Sequence, residues 1–166
     1  RLNANGVLEA TNVPDERGFR LTYPGKGTLI HSRGFRSSYR GEYDNHIADA
    51  AATYNVPLDL VRAVIQVESE FDALAVSSKG AQGLMQVIPR FHQDKLDALA
   101  GSNSLLDPAV NIHVGALVLK ESIRRTGSLE AGLQQYAGAV SDDEALYAAK
   151  VLAEKQRIEA AAKRGR

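Results

Sequence analysis

The sequence predicts a mainly α-helical domain over residues 41–166, preceded by a short strand-and-loop appendage over residues 1–40. Three observations predict it. Apolar residues recur at helical spacing from residue 42 onward. Helix start and stop residues punctuate that stretch at helix-length intervals. Before residue 41, Gly and Pro are frequent and no helical period is sustained.

In the appendage, Phe19, Leu21 and Tyr23 alternate with Arg20 and Thr22, a strand signal. The Pro14–Gly18 run before it and Pro24-Gly25 after it read as turns. Asp44 then stands where a residue can cap a first helix carrying Ile47, Ala51 and Tyr54 on one face. Pro57 suits the first turn of a second helix, where a missing N–H costs nothing, and that helix runs to about Ser69. A loop with Gly80 and Gly83 follows. A short helix through Met85 is expected to stop before Pro89, with another over 90–99. Asp107-Pro108 opens a long helix that ends at Thr126-Gly127. Ser128 caps a short helix to about Ala137, and a last helix runs from about Asp142 into a basic tail. No internal repeat is present, so the helical region reads as one compact all-α unit.

Length and composition agree. A chain of 166 residues, 44% hydrophobic and 24% charged, is ordinary for a soluble globular protein and long enough to bury a core without staples. It has no cysteine, which excludes a disulfide scaffold and thiolate metal sites. No apolar run approaches the ~18 residues of a membrane helix. No signal segment is visible, and the start at Arg1 rather than Met leaves room for a removed upstream piece. Formal net charge is zero, but its distribution is uneven. Residues 1–40 and 150–166 each carry a net +4, while 41–149 carries −8. Basic ends suit solvated termini or contact with an anionic surface. The acidic middle argues against a nucleic-acid groove there.

One residue of the second helix does not fit its face. Asp59, Arg62, Gln66 and Glu70 share a polar stripe at helical spacing. Glu68 lies off it, one turn beyond Val64 and Ile65, at the C-terminal end of a helix rich in Leu, Val and Ile. Desolvation there disfavours the charged carboxylate, and the negative end of the helix dipole acts in the same direction. A Glu that keeps its proton near neutral pH is what a general acid requires. The plain alternative is a Glu that reaches water or pairs with a buried Arg. The glycines of the following loop let the chain turn back toward this carboxyl. Ser77 and Gln86 are then candidates to present hydrogen-bonding groups to a polar ligand.

At these residues the sequence resembles the soluble lytic transglycosylase family with its lysozyme-like catalytic domain. Four motifs stand in order over about 42–160. Glu68-Ser69-Glu70-Phe71 matches the family's Glu-Ser motif, and Gly83-Leu84-Met85-Gln86 matches its Gly-Leu-Met-Gln motif. Asn111-Ile112 with Gly115 matches Asn-Ile-x-x-Gly, and Gln135-Tyr136-Ala137-Gly138 resembles Ala-Tyr-Asn-Ala-Gly. The Asn that usually follows the Tyr is missing, and Val118-Leu119 stands where many members have Tyr-Leu.

The resemblance implies a catalytic role for Glu68 as acid and then base. It implies substrate contacts for Ser77, Gln86 and Tyr136, with the Tyr136 hydroxyl close to the Glu. Met85 and Ile88 fall at cleft or core positions. The implied substrate is the peptidoglycan glycan strand, cut non-hydrolytically between N-acetylmuramic acid and N-acetylglucosamine to leave 1,6-anhydro ends. No metal or cofactor is implied, and the four His residues, at 31, 46, 92 and 113, form no ligand-spaced cluster. His113 reads as a core or surface residue. The implied location is the periplasm or bacterial cell envelope, with a protein of an envelope machine as a further partner, no nucleic acid and no membrane span. Two alternatives remain open. A hydrolytic muramidase of the same fold would need a second carboxylate, for which Asp72 is the candidate. A non-catalytic peptidoglycan-binding scaffold would have no use for a costly carboxyl on an apolar face.

Overall fold

The computed structural model describes residues 41–101, 104–139, 141 and 145–165. The expected appendage 1–40, with its Phe19–Tyr23 strand, lies outside the described residues. So do 142–144, where the last helix was expected to start.

Among the described residues, six α-helices carry the fold: α1 (Asp44–Tyr54), α2 (Leu58–Ser69), the very short α3 (Gln93–Lys95), α4 (Pro108–Thr126), α5 (Leu129–Ala137) and α6 (Leu146–Arg164). α4 and α5 form an antiparallel hairpin, α1 packs on α4 and α2, and α6 packs along α2 and against α5. Ile47, Leu60, Ile65, Ile112, Leu119 and Leu133, drawn from α1, α2, α4 and α5, are fully buried between them. No helix among the described residues is long and apolar enough to cross a membrane.

Local chemistry sets most boundaries where the sequence expects them. The Asp107 carboxylate accepts from Val110 N (3.2 Å) to cap α4. The Ser128 hydroxyl accepts from Ala131 N (3.1 Å) to cap α5. The second helix ends at Ser69, as expected, with Pro57 one residue outside its start.

Four expectations are corrected. Asp44 opens α1 but does not cap it; its carboxylate takes the Arg62 guanidinium at 2.7 Å instead, tying α1 to α2. Residues 83–86 form a tight turn rather than a helix. Gly83 (φ 76°) and Gln86 (φ 51°) are left-handed, and Gln82 pairs across the turn with Val87. Right-handed helix cannot run through such residues. Over 90–99 the chain makes a 3₁₀ turn (Pro89–Phe91), then α3, then a π turn (Leu96–Ala100). His92, at φ −135°, interrupts the first two. Finally, α6 starts at Leu146, behind a left-handed Ala145.

Candidate active site

Glu68 sits in the last turn of α2 and is 1% exposed, as its place on the apolar face predicts. Immediately after it the chain reverses through two consecutive left-handed non-glycine residues, Glu70 (φ 50°) and Phe71 (φ 65°). Each such residue costs about 1–3 kcal/mol and persists only where its surroundings enforce it. Here the burial of Phe71 in the core enforces the reversal.

The segment that returns to α2 is held by hydrogen bonds as well as by the buried Leu84, Met85 and Val87. Residues 75–87 form two reversals that share Gln82, which pairs with both Val76 and Val87. In the first, the Ser77 hydroxyl accepts from Ala81 N (3.0 Å), while the Ser77 amide donates to Ala81 O (2.9 Å). In the second, the Gln86 amide nitrogen donates to Gly83 O (3.0 Å) and Ala75 O (3.1 Å). The Ser69 hydroxyl reaches Leu84 O at 2.7 Å, so the residue after Glu68 grips the turn directly.

Asn111 of α4 clamps the same turn. Its Oδ1 accepts from Met85 N (2.7 Å), and its Nδ2 donates to Gln82 O (2.7 Å) and Leu105 O (2.8 Å). Two glycines make the approach possible. A Cβ on Gly83 would lie 2.2 Å from Asn111 Nδ2, and one on Gly115 would lie 2.6 Å from Met85 Cβ and Sδ. The Asn-Ile-x-x-Gly and Gly-Leu-Met-Gln motifs of the sequence are therefore two halves of one contact.

Two tyrosines complete the surroundings of Glu68. Tyr136 of α5 donates its hydroxyl to Met85 O at 2.5 Å. Burial holds its phenol well above the ordinary range, and the negative charge of Glu68 adds to the effect. Tyr147 of α6 donates its hydroxyl to Glu68 Oε1 at 2.7 Å. The height of Tyr147 is set from α5. Gln134 Oε1 accepts from Ala148 N (2.8 Å), satisfying an orphan donor of the first turn of α6, while its Nε2 donates to Ala139 O (2.9 Å).

The predicted site residues fall into two groups. Glu68 and Tyr136 come together electrostatically on α2 and α5. Ser77, Met85 and Gln86 are 4%, 0% and 2% exposed, and each builds the turn that faces them. Met85, expected at a cleft or core position, is in the core, its side chain against Gly115. Of the groups that Ser77 and Gln86 were expected to present to a ligand, the Ser77 hydroxyl and the Gln86 side-chain nitrogen bond within the loop, while the Gln86 Oε1 is buried with no hydrogen-bond partner. Ile88 is half-buried beside Tyr136, on the wall of a cavity. Asp72 is half-buried and accepts from Leu74 N (3.0 Å). His113 lies between α4 and α1, bonded to Asp49 Oδ2 (2.9 Å) and Tyr54 Oη (3.3 Å), and belongs to that helix contact. Sequence reasoning missed Tyr147. Its position in a helix start that begins later than expected hid the face it occupies.

Comparison with known proteins gives a consistent result. The profile of the transglycosylase SLT domain matches residues 45–156. A transglycosylase of Enterobacteria phage PRD1 is 35% identical over 95 residues, covering 57% of this chain and 34% of that protein. Membrane-bound lytic murein transglycosylase C of Salmonella arizonae is 31% identical over 122 residues, 70% of this chain and 33% of its own length. In structure, an inactive mutant of the lytic transglycosylase Slt from Pseudomonas aeruginosa superposes with a TM-score of 0.63 at 19% identity, over 74% of this chain and 25% of that one. That likeness establishes the all-α fold. The chain spans about one third of the length of these curated relatives.

Proposed function

The chain belongs to the transglycosylase SLT domain family, and from that premise we propose that it cleaves peptidoglycan glycan strands with Glu68 as acid and then base. The observation that carries this reading is the Glu68 carboxyl itself, 1% exposed and held by the Tyr147 hydroxyl at 2.7 Å. Desolvation favours the neutral form of a carboxyl, the form that can donate a proton at neutral pH.

The reaction proceeds as follows. Protonated Glu68 donates to the oxygen joining N-acetylmuramic acid to N-acetylglucosamine. That C–O bond breaks, the N-acetylglucosamine side leaves as an alcohol, and the muramyl C1 takes on oxocarbenium character. Glu68, now a carboxylate, accepts the proton of the muramyl C6 hydroxyl as its oxygen bonds to C1. The product carries a 1,6-anhydro ring and Glu68 regains its proton. No water is consumed, so neither a water-activating base nor a carboxylate nucleophile is required, unlike in the usual two-carboxylate glycosidase. Tyr147 steadies the carboxyl through its hydrogen bond. Tyr136, its hydroxyl on Met85 O and its ionisation suppressed by burial, stays neutral beside Glu68. Such chemistry takes place at the bacterial cell envelope.

The test is a digest of purified peptidoglycan by the wild type and by Glu68→Gln, with products read by mass spectrometry. Anhydro-muropeptides, one water lighter than hydrolysed ones and absent with the variant, are the expected result. Hydrated ends would replace the proposal with a hydrolytic muramidase and direct attention to Asp72. No products from the wild type would end the catalytic reading.

A further inference from the structure

The start of α6 depends on another helix. Its N-cap residue is Ala145, in left-handed backbone (φ 49°), and an alanine has no side chain to accept from the amides of a first turn. The Ala148 amide, third in the helix, is one that a Ser or Asp cap would serve. It donates instead to Gln134 Oε1 of α5, at 2.8 Å. α4 and α5 carry their own caps in Asp107 and Ser128, whereas α6 borrows one from 14 positions away.

Gln134 is held in the one orientation that serves. It is buried, its Nε2 donates to Ala139 O (2.9 Å), and the Ala139 amide donates back to Gln134 O (2.9 Å). With a carbonyl on one side and an N–H on the other, its carboxamide must point the oxygen toward α6. The helix that carries it is fixed as well. Gly132 lies so close to α4 that a Cβ there would stand 2.6 Å from Ile123 Cα. The first turn of α6 is therefore registered against the α4–α5 hairpin.

The residue before Ala148 is Tyr147, which donates to Glu68 Oε1 at 2.7 Å. Its ring is a rigid arm, so a slip of the helix start displaces the hydroxyl by as much. An O–H···O bond tolerates little displacement from 2.5–3.0 Å. A first turn without its cap loses this bond before it loses the helix. Neighbouring ionisable groups are engaged elsewhere. Tyr136 of α5 donates to Met85 O, Asp44 and Asp49 of α1 hold Arg62 and His113, and Lys155 and Arg157 of α6 pair with acids of their own helix.

We propose that Gln134 is a positioning residue for the cleavage: by capping α6 from α5 it holds the Tyr147 hydroxyl on the Glu68 carboxyl. The inference rests on the reading of Glu68 as the acid. Gln134 acts through Tyr147 rather than on the reacting atoms.

The test uses the full chain and two readouts, peptidoglycan turnover and the titration of the Glu68 carboxyl. The second follows carbon-13-labelled glutamate side chains by NMR, with the Glu68 signal identified by its loss in Glu68→Gln. Gln134→Met keeps the volume and removes the cap. It is expected to lower kcat about fivefold with KM within about twofold. It should also raise the Glu68 midpoint by about half a pH unit, because a donor to the carboxylate is weakened. Added to Tyr147→Phe it should change neither quantity further, since both act through one bond. Gln134→Asn, which shortens the reach by one methylene and disturbs packing less, should move both in the same direction. Ser128→Ala removes the cap at the other end of α5. It should lower the urea midpoint yet leave kcat and the Glu68 titration unchanged. The proposal is overturned if the Gln134 variants lower only the urea midpoint, or if their effects add in full to those of Tyr147→Phe. Wall cleavage with a Glu68 titration indifferent to Gln134 would sink the positioning role and leave the reaction standing. A Glu68 titration that follows Gln134 in a chain that cleaves nothing would sink the reaction and with it this role.

Discussion

Asn111→Ala removes one side chain and three hydrogen bonds, all between 2.7 and 2.8 Å. The residue is 1% exposed, so water cannot replace them in place. The Gln82 carbonyl keeps a second partner, the Val87 amide at 3.1 Å. The Met85 amide and the Leu105 carbonyl lose the bond that Asn111 gives them, and both residues are buried. Leaving a buried donor or acceptor unmade costs about 1–3 kcal/mol, and the third bond adds roughly 0.5–1.5 kcal/mol. Ala returns about 0.5 kcal/mol through its better helix propensity. The balance is a loss of about 2–7 kcal/mol, or roughly 5–25 °C in Tm for a domain of this size.

Equilibrium urea unfolding followed by circular dichroism measures the loss directly, and turnover well below the new Tm measures its catalytic consequence. Turnover should fall as well, because the Met85 carbonyl that holds the Tyr136 hydroxyl belongs to the turn that Asn111 clamps. Asn45→Ala, at an exposed position of α1, is the control and should stay within about 0.5 kcal/mol. A loss below about 1 kcal/mol at Asn111 would refute the clamp and with it the reading of the two motifs as one contact.

Four further outcomes follow from the same geometry. Glu68→Gln should lower turnover on peptidoglycan about 10³-fold, the scale of a lost general acid, while leaving the urea midpoint unchanged or raised, since a neutral amide replaces a buried carboxyl. Tyr147→Phe keeps the ring and removes the hydrogen bond to Glu68; kcat should fall about tenfold or more with KM unaltered, and the kcat–pH profile should move to higher pH because a donor to the carboxylate is gone. Gly83→Ala should cost about 3 kcal/mol in the same urea assay, since the position has φ 76° and a Cβ would collide with Asn111. Tyr136 and Lys95 both have raised folded-state values, so the stability they contribute is complete below their unfolded values of 10.0 and 10.5 and is lost as pH rises through the folded ones; unfolding measured across that alkaline range should show a fall that Tyr136→Phe makes shallower.

The parts of the fold that were legible in the sequence are those decided by neighbours in the chain. Asp107, Ser128 and Gly127 mark helix ends because a cap acts within three or four residues of itself. Glu68 was legible for a related reason: the 3.6 period of α2 places it away from the polar stripe without reference to any other helix. The turn at 83–86 was misread because Leu84, Met85 and Ile88 have helix-like spacing, while the left-handed backbone of Gln86 has no signature in a glutamine. Asp44 was misread because a good capping residue is equally a good partner for an arginine, and Arg62 lies 18 positions away. Tyr147 was not legible at all. Its hydroxyl meets Glu68 across 79 residues, and its height depends on Gln134 serving the Ala148 amide from a third element.

The distribution of cost around Glu68 bears on what the site is for. Three of the five left-handed non-glycine residues among the described residues, Glu70, Phe71 and Gln86, lie within the stretch that turns from α2 and comes back to it. Glycine would adopt those angles without strain, yet a carboxylate, a buried aromatic and a buried amide occupy them. The same short stretch carries a carboxyl at 1% exposure and a Gln86 oxygen that is buried without a hydrogen-bond partner. A domain selected only to stay folded, or to hold a ligand passively, gains nothing from concentrating unfavourable backbone and desolvated polar atoms in one place. An active site gains a preorganised pocket whose groups need not rearrange when charge develops. The hydrogen bonds of Ser69, Asn111, Tyr136 and Gln134 are what make this concentration tolerable. Between them they tie α2, α4 and α5 to the turn or to α6, so the loss of any one should loosen the site before it unfolds the domain.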